Sequence, residues 1–282
     1  MKKVIGKHFL WTLLFSLVAV FMMGGKAQAA TPTIYTFEDM YQTSVQSYSE
    51  MDVTSDKVAD TVKIQFTAGE EYSRTLKIYI NDKQVFTQKR VPDPTWNVQL
   101  IRLKNGKVFF DISSTIVSDD ACIHRLYAYK SGKLKKVYDF QKYYAKYATY
   151  YTVRVTGVSG NKLKTKVSSM FYLTGAISYD MNLAYKGGKF KRTANQYKVK
   201  YTYTTNSWTA GRTIKVYKKA GSKKLAFTLE KGDKVKINKV IYKNNKPYIQ
   251  VKQREGAGKT GYIPCVKKYA DPQYFEEAMF AG

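Results

Sequence analysis

The stretch Lys234-Val235-Lys236-Ile237-Asn238-Lys239-Val240 decides how this chain is read. Lysine and aliphatic residues alternate along it with a period near two, the side-chain repeat of a strand rather than of a helix. A strand built this way buries its valines and isoleucine on one face and carries its ammonium groups on the other, so it predicts a ribbon with a cationic wall. Outward from it, residues 61–66, 75–80, 98–103, 108–112, 151–155 and 197–203 also alternate β-branched or aromatic residues with polar ones. Between them stand Asn81-Asp82, Asn105-Gly106, Ser131-Gly132, Ser159-Gly160 and Gly187-Gly188, residues that accept the positive φ of a tight hairpin. The tips recur every 24 to 28 residues. This predicts an all-β chain whose front is an antiparallel hairpin array, either a sandwich or propeller-like. Three tips, around residues 127–133, 155–162 and 183–190, share a weak repeat that reflects either duplication or the narrow vocabulary of turns.

Two segments carry helical signals. Thr36 with Asp39 forms an approximate capping box before Met40, Tyr41, Val45 and Tyr48, where alternation also allows a strand. Asp271-Pro272 ahead of Tyr274, Phe275, Ala278 and Met279 predicts a C-terminal helix over 269–282.

Charge divides the chain. The full sequence has a formal net charge of +27, and residues 186–268 hold 23 Lys and Arg against Glu230, Asp233 and Glu255. Residues 31–185 hold 21 basic and 15 acidic residues, so the front is near neutral and the back strongly cationic. A surface of that kind either attracts a polyanion or keeps a protein soluble. Lys2, Lys3 and Lys7, an apolar run over 9–23, and Ala27-Gln28-Ala29 read as a secretory signal peptide over 1–30. The apolar run is shorter than the ~20 residues of a spanning helix, so no stable membrane insertion is expected after cleavage. Export makes envelope polymers the expected polyanion and nucleic acid an unexpected one. Cys122 and Cys265 either pair or remain buried thiols.

A polar stretch over 204–211 separates a region 31–206 from a second unit, 209–268. That unit runs from Thr213-Ile214-Lys215-Val216-Tyr217 through Glu230-Lys231-Gly232-Asp233-Lys234-Val235 and Pro247-Tyr248-Ile249-Gln250-Val251 to Lys259-Thr260-Gly261-Tyr262-Ile263. The succession closely resembles the bacterial Src-homology-3-like domain of exported and cell-wall proteins. The resemblance implies a small SH3-like barrel that tethers its protein to the envelope, often to peptidoglycan, without catalysis. The family often has Arg-Ser-Gly-Pro where Lys218-Lys219-Ala220-Gly221 stand here, which puts any contact from that loop in question. The candidate polyanion-binding residues are Lys215, Lys218, Lys219, Lys223, Lys224, Lys234, Lys236, Lys239, Tyr248, Lys259 and Tyr262.

In the front, Asp52, Thr54, Asp56, Val58 through its carbonyl, and Asp60 have the spacing of a calcium loop. The loop resembles those of integrin-type propellers, which implies a bound Ca2+. Ser55 and Lys57 stand where that family has glycine, and a polar hairpin connection is the competing reading. Phe140, Tyr143, Tyr144, Tyr147, Tyr150 and Tyr151 form an aromatic cluster that serves either as a glycan platform or as core. Catalysis has little to build on, since His124, beside Cys122, is the one histidine beyond the leader. Asp111, Asp119, Asp120, Asp139 and Asp180 offer carboxylates for glycoside hydrolysis, with nothing in the sequence fixing their separation. The expectation is therefore a secreted, non-catalytic protein binding an anionic cell-wall polymer or peptidoglycan; the alternative is a glycan-active enzyme or lectin using front carboxylates and tyrosines.

Overall fold

The computed structural model describes residues 30–37, 43–70, 73–90, 95–115, 121–142, 144–202 and 207–278. The expected signal peptide lies outside them. The fold is all-β, in four antiparallel sheets.

The four front strands β2 (Ser44–Met51), β3 (Asp60–Ala68), β4 (Arg74–Ile80) and β5 (Lys83–Arg90) form one meander, sheet B. A second meander, sheet A, comprises β6 (Thr95–Arg102), β7 (Val108–Thr115), β8 (Ala121–Lys130) and β9 (Lys133–Asp139), with β1 (Thr33–Phe37) added beside β6. Strands therefore occupy both described ends of the segment where a capping box suggested a helix, and residues 38–42 lie outside the description. Sheet C contains β10 (Ala148–Ser159), β11 (Lys162–Phe171), β12 (Gly175–Asp180), β13 (Leu183–Lys186), β14 (Lys189–Arg192) and β16 (Tyr201–Thr202). Sheet D contains β15 (Gln196–Lys198), β17 (Trp208–Thr209), β18 (Ile214–Tyr217), β19 (Leu225–Leu229), β20 (Lys234–Lys243), β21 (Lys246–Gln253) and β22 (Thr260–Pro264).

Each of the five turn pairs closes a hairpin. Asn81 and Asp82 have φ of 49° and 62°, Ser131 and Gly132 have 51° and 78°, and Gly187 and Gly188 have 59° and 76°. These left-handed pairs match the twist of the strands they join.

Two apolar cores follow from the alternation. One lies between sheets B and A, with Val62, Ile64, Leu76 and Ile78 against Trp96, Val98, Phe110 and Ile112. The other takes the opposite face of sheet A, through Ile101, Phe109 and Leu126, and continues across sheets C and D to Val235, Val240 and Ile249. Sheet A is thus buried on both sides, which is why β7 is apolar at consecutive positions Val108, Phe109 and Phe110.

The chain passes three times between sheets C and D, from β14 to β15, from β15 to β16 and from β16 to β17. Strand β15 pairs with β20, after which β16 returns to β12 in sheet C. At the C-terminus the expected helix is not formed through Ala278. The segment runs instead as bends and a short turn closed by the Ala278 N–H to Phe275 O, with Phe275 bridged to Ala210, the Gly211 N–H donating to Tyr274 O, and the Glu276 N–H donating to Thr209 O. Phe275 and Ala278 are buried and Glu277 accepts from both the N–H and hydroxyl of Thr209, each at 2.7 Å. The turn lets apolar residues three apart be buried as a helix would, and the backbone of residues 209–211 takes up part of the segment's donors and acceptors.

Candidate polyanion-binding surface

In sheet D the buried set is Ile214 and Val216 on β18, Val235, Ile237, Val240 and Tyr242 on β20, Ile249 and Val251 on β21, and Ile263 on β22. Val235 to Ile237 is a step of two, but Ile237 to Val240 is a step of three. Strand pairing accounts for it: the register shifts between Ile237 and Lys239, leaving Asn238 as the extra residue of a β-bulge. The bulge restores the facing, so Lys239 emerges on the same side as Lys234 and Lys236.

Neighbouring strands complete that outer face. Lys236 lies opposite Lys252, Lys239 opposite Gln250, and Gln250 opposite Tyr262, which in turn faces Tyr217. Tyr248 sits opposite Ile241 and Pro264. Six expected binding residues, Lys215, Lys234, Lys236, Lys239, Tyr248 and Tyr262, therefore share one face. The tyrosines are half-buried between the lysines, and Gln250 Nε2 donates to Tyr262 Oη at 3.0 Å. Lys218, Lys219, Lys223 and Lys224 stand exposed on the β18–β19 connection, whose Ala220 carbonyl accepts from Lys243 Nζ at 3.1 Å. Lys259 is exposed at the entry to β22.

Two residues hold this surface in shape for steric reasons. A Cβ on Gly261 would come within 2.5 Å of Val216 Cγ1 and 3.0 Å of Tyr217 O, so only glycine lets β22 lie against β18. Gly232, at φ 93°, allows the turn before β20, closed by the Asp233 N–H to Glu230 O.

Electrostatics separates this face from the rest. Among the described residues, none of the nine candidate lysines is ion-paired with a carboxylate. The local acids serve the backbone and a hydroxyl: Asp233 accepts from the Glu230 N–H at 2.9 Å, and Glu230 accepts from Thr213 Oγ1 at 2.9 Å.

The front residues proposed as calcium ligands share one loop but turn inward onto it. Asp52 accepts from the N–H groups of Ser55, Asp56 and Lys57 at 2.6, 3.1 and 2.8 Å, and Asp60 from those of Val53 and Thr54 at 2.7 and 2.8 Å. Asp60 also accepts from Asn81 Nδ2 and Thr54 Oγ1, while Asp56 takes the Val58 N–H. Ser55 and Lys57 adopt φ of 67° and 75°, where the calcium pattern has glycine. These carboxylates make an N–H-capped turn, and the described residues include no group of three or more His, Cys, Asp or Glu placed to hold a metal.

The aromatic cluster divides likewise. Phe140, Tyr144, Tyr147 and Tyr151 are buried, leaving Tyr150 half-exposed; Tyr143 lies outside the description. Of the carboxylates, Asp180 pairs with Lys200, and Asp139 pairs with Arg125 and Lys136. Burial opposes ionisation of Asp139, yet Lys136, Arg125 and the Gln141 N–H together hold its carboxyl below the usual range. Asp111 pairs with His124, Oδ1 to Nε2 at 2.8 Å, both buried. Asp119 and Asp120, and the side chain of Cys122, lie outside the described residues. Cys265 is a buried free thiol whose pKa burial pushes up, the opposite of an activated nucleophile. Comparison with protein-family models, characterised proteins and solved structures gave no match.

Proposed function

We propose that this is a secreted, non-catalytic binding protein that attaches to an anionic cell-wall polymer or peptidoglycan through the lysine face of an SH3-like module. One observation carries the reading: nine lysines, four of them (Lys215, Lys234, Lys236 and Lys239) on one face, have no carboxylate neutralising them among the described residues. Folded proteins keep large unmatched fields at a cost in self-repulsion, and a polyanion removes that cost on binding. The half-buried Tyr248 and Tyr262 add flat amphipathic surface between the charges, suited to the sugar portions of such a polymer. The Lys-Gly-Asp-Lys-Val turn and the glycine-dependent contact of β22 with β18 support the SH3-like reading.

The test is retention of the full chain on purified cell wall across a salt series. Replacing Lys215, Lys234, Lys236 and Lys239 together by Gln is expected to weaken retention about thirtyfold, roughly 2 kcal/mol. The remaining retention should fall less steeply with salt, because fewer charges are then screened. Unchanged retention in that variant, or insensitivity to salt, overturns the proposal.

A further inference from the structure

The face of sheet A that meets sheet C changes chemistry along its length. On β6 it carries Ile101 and then Gln99, Asn97 and Thr95; on β7, Phe109 and then Asp111, Ser113 and Thr115; on β8, Leu126 and then His124. The apolar ends join the core shared with sheet C. The polar ends line a cleft of about 630 Å³ whose other wall is sheet C. Strand register puts the switch at one level in three neighbouring strands: Gln99 is opposite Asp111, Asn97 opposite Ser113, and Ser113 opposite His124. Asp111 and His124 are buried, Gln99, Ser113 and Thr115 partly so, and Thr95 and Asn97 are exposed, so this end of the face opens as a polar-lined cleft with convergent hydrogen-bonding groups, the composition of a binding site.

Across the cleft, Thr152 pairs with Ser168 and Arg154 with Lys166. Two cations directly opposite each other repel, and among the described residues neither has a carboxylate partner. The single acid in the lining, Asp111, is engaged by His124 at the floor. Tyr150 borders the same space and is partly exposed.

We propose that this cleft binds an acidic saccharide: the Arg154–Lys166 pair takes its carboxylate. Asn97, Ser113, Thr152 and Ser168 take its hydroxyls, and Tyr150 lies against a ring face. The site is separate from the lysine face of sheet D and does not depend on that face binding a polymer.

Calorimetric titration of the full chain with trigalacturonate, and with its methyl ester as the uncharged counterpart, tests this. The acid is expected to bind and the ester to bind at least tenfold more weakly. Arg154→Gln with Lys166→Gln, both exposed and so neutral for folding, should bring the acid down to the level of the ester. Asn97→Trp, at an exposed wall position, should block both ligands by filling the cleft. The four-lysine variant of sheet D should bind the acid as the unmodified chain does. Equal binding of acid and ester, full binding after Arg154 and Lys166 are neutralised, or no binding at millimolar concentration overturns the site. Loss of binding in the four-lysine variant overturns it too, by assigning the saccharide to sheet D, and leaves the wall-attachment reading standing.

Discussion

In the front sheets several cations have carboxylate partners, and among the described residues none of the candidate lysines on the outer face of sheet D has one. Lys63 reaches Asp82 across a hairpin, Arg125 and Lys136 converge on Asp139, and Lys200 holds Asp180. On sheet D, Lys236 instead faces Lys252 across the ladder. Both regions are antiparallel β built by the same alternation, so the contrast lies in what occupies the outward positions. The paired front cations serve local order, while the candidate lysines of sheet D have no carboxylate partner among the described residues.

The strongest way to break this division is to show that the two regions do not hold together. Their seam is a set of tyrosines from both sheets: Tyr151 and Tyr179 from sheet C, Tyr242 from β20, with the Tyr179 and Tyr242 hydroxyls hydrogen-bonded and Arg192 4.7 Å over the Tyr242 ring. Burial first of all raises all three pKa values well above the ordinary tyrosine value of 10, and raises that of the adjoining Tyr197 to about 12. For a folded-state pKa that is raised, stability is intact below pH 10 and lost as pH climbs toward the folded value. Each fully buried tyrosine contributes ~1.4 kcal/mol per pH unit, so the three together remove up to about 4 kcal/mol per unit above pH 10. Urea midpoints measured from pH 8 to 11.5 should be level and then fall steeply, and Tyr242→Phe should make the fall shallower. A flat profile would mean that the seam is wet and that the regions fold separately.

A smaller effect is expected within the back alone. Gly261→Ala forces a methyl group into Val216 and the Tyr217 carbonyl, and overpacking of this kind costs about 3 kcal/mol. Urea denaturation measures the loss. If the variant is as stable as the original chain, β22 is not fixed against β18 and the lysine face is not a fixed surface.

Much of this contrast could be read in advance, for local reasons. The five turn pairs sit where positive φ is needed, and alternation over 234–240 gives a lysine face, while the bulge at Asn238 that keeps Lys239 facing outward is set by pairing with β21. Features that depend on long-range register were not legible. Asp111 meets His124 only because β7 and β8 pair with Ser113 opposite His124. The cleft needs β6, β7 and β8 to switch from apolar to polar at one level, and residues of β10 and β11 to face them. Asp52 and Asp60 have ligand spacing, but the same oxygens serve backbone N–H groups, a choice that spacing alone leaves open. Phe275 and Ala278 fit a helix stripe and a single turn equally, and pairing with residues 209–211 decides between them.

The finest test compares one charge from each region. Asp139 is mostly buried, with a side-chain exposure of 14%, and accepts from Arg125, Lys136 and the N–H groups of Gln141 and Lys142. Asp139→Asn keeps the shape but removes the charge from a carboxylate whose pKa its partners hold down, and about 1 kcal/mol of stability should go with it. Because that pKa is lowered, the loss is present above the unfolded value near 4 and vanishes as pH falls through the folded value, where the native carboxyl is itself protonated. Lys236→Gln on sheet D removes a charge that faces only Lys252, so stability should stay level or rise by a few tenths of a kcal/mol at low salt, and the rise should disappear at high salt. Paired urea titrations at low and high ionic strength decide the matter. A loss at Lys236 as large as that at Asp139 would place a partner for Lys236 inside the molecule, and the contrast between the Asp139 network and the open lysine face would fail.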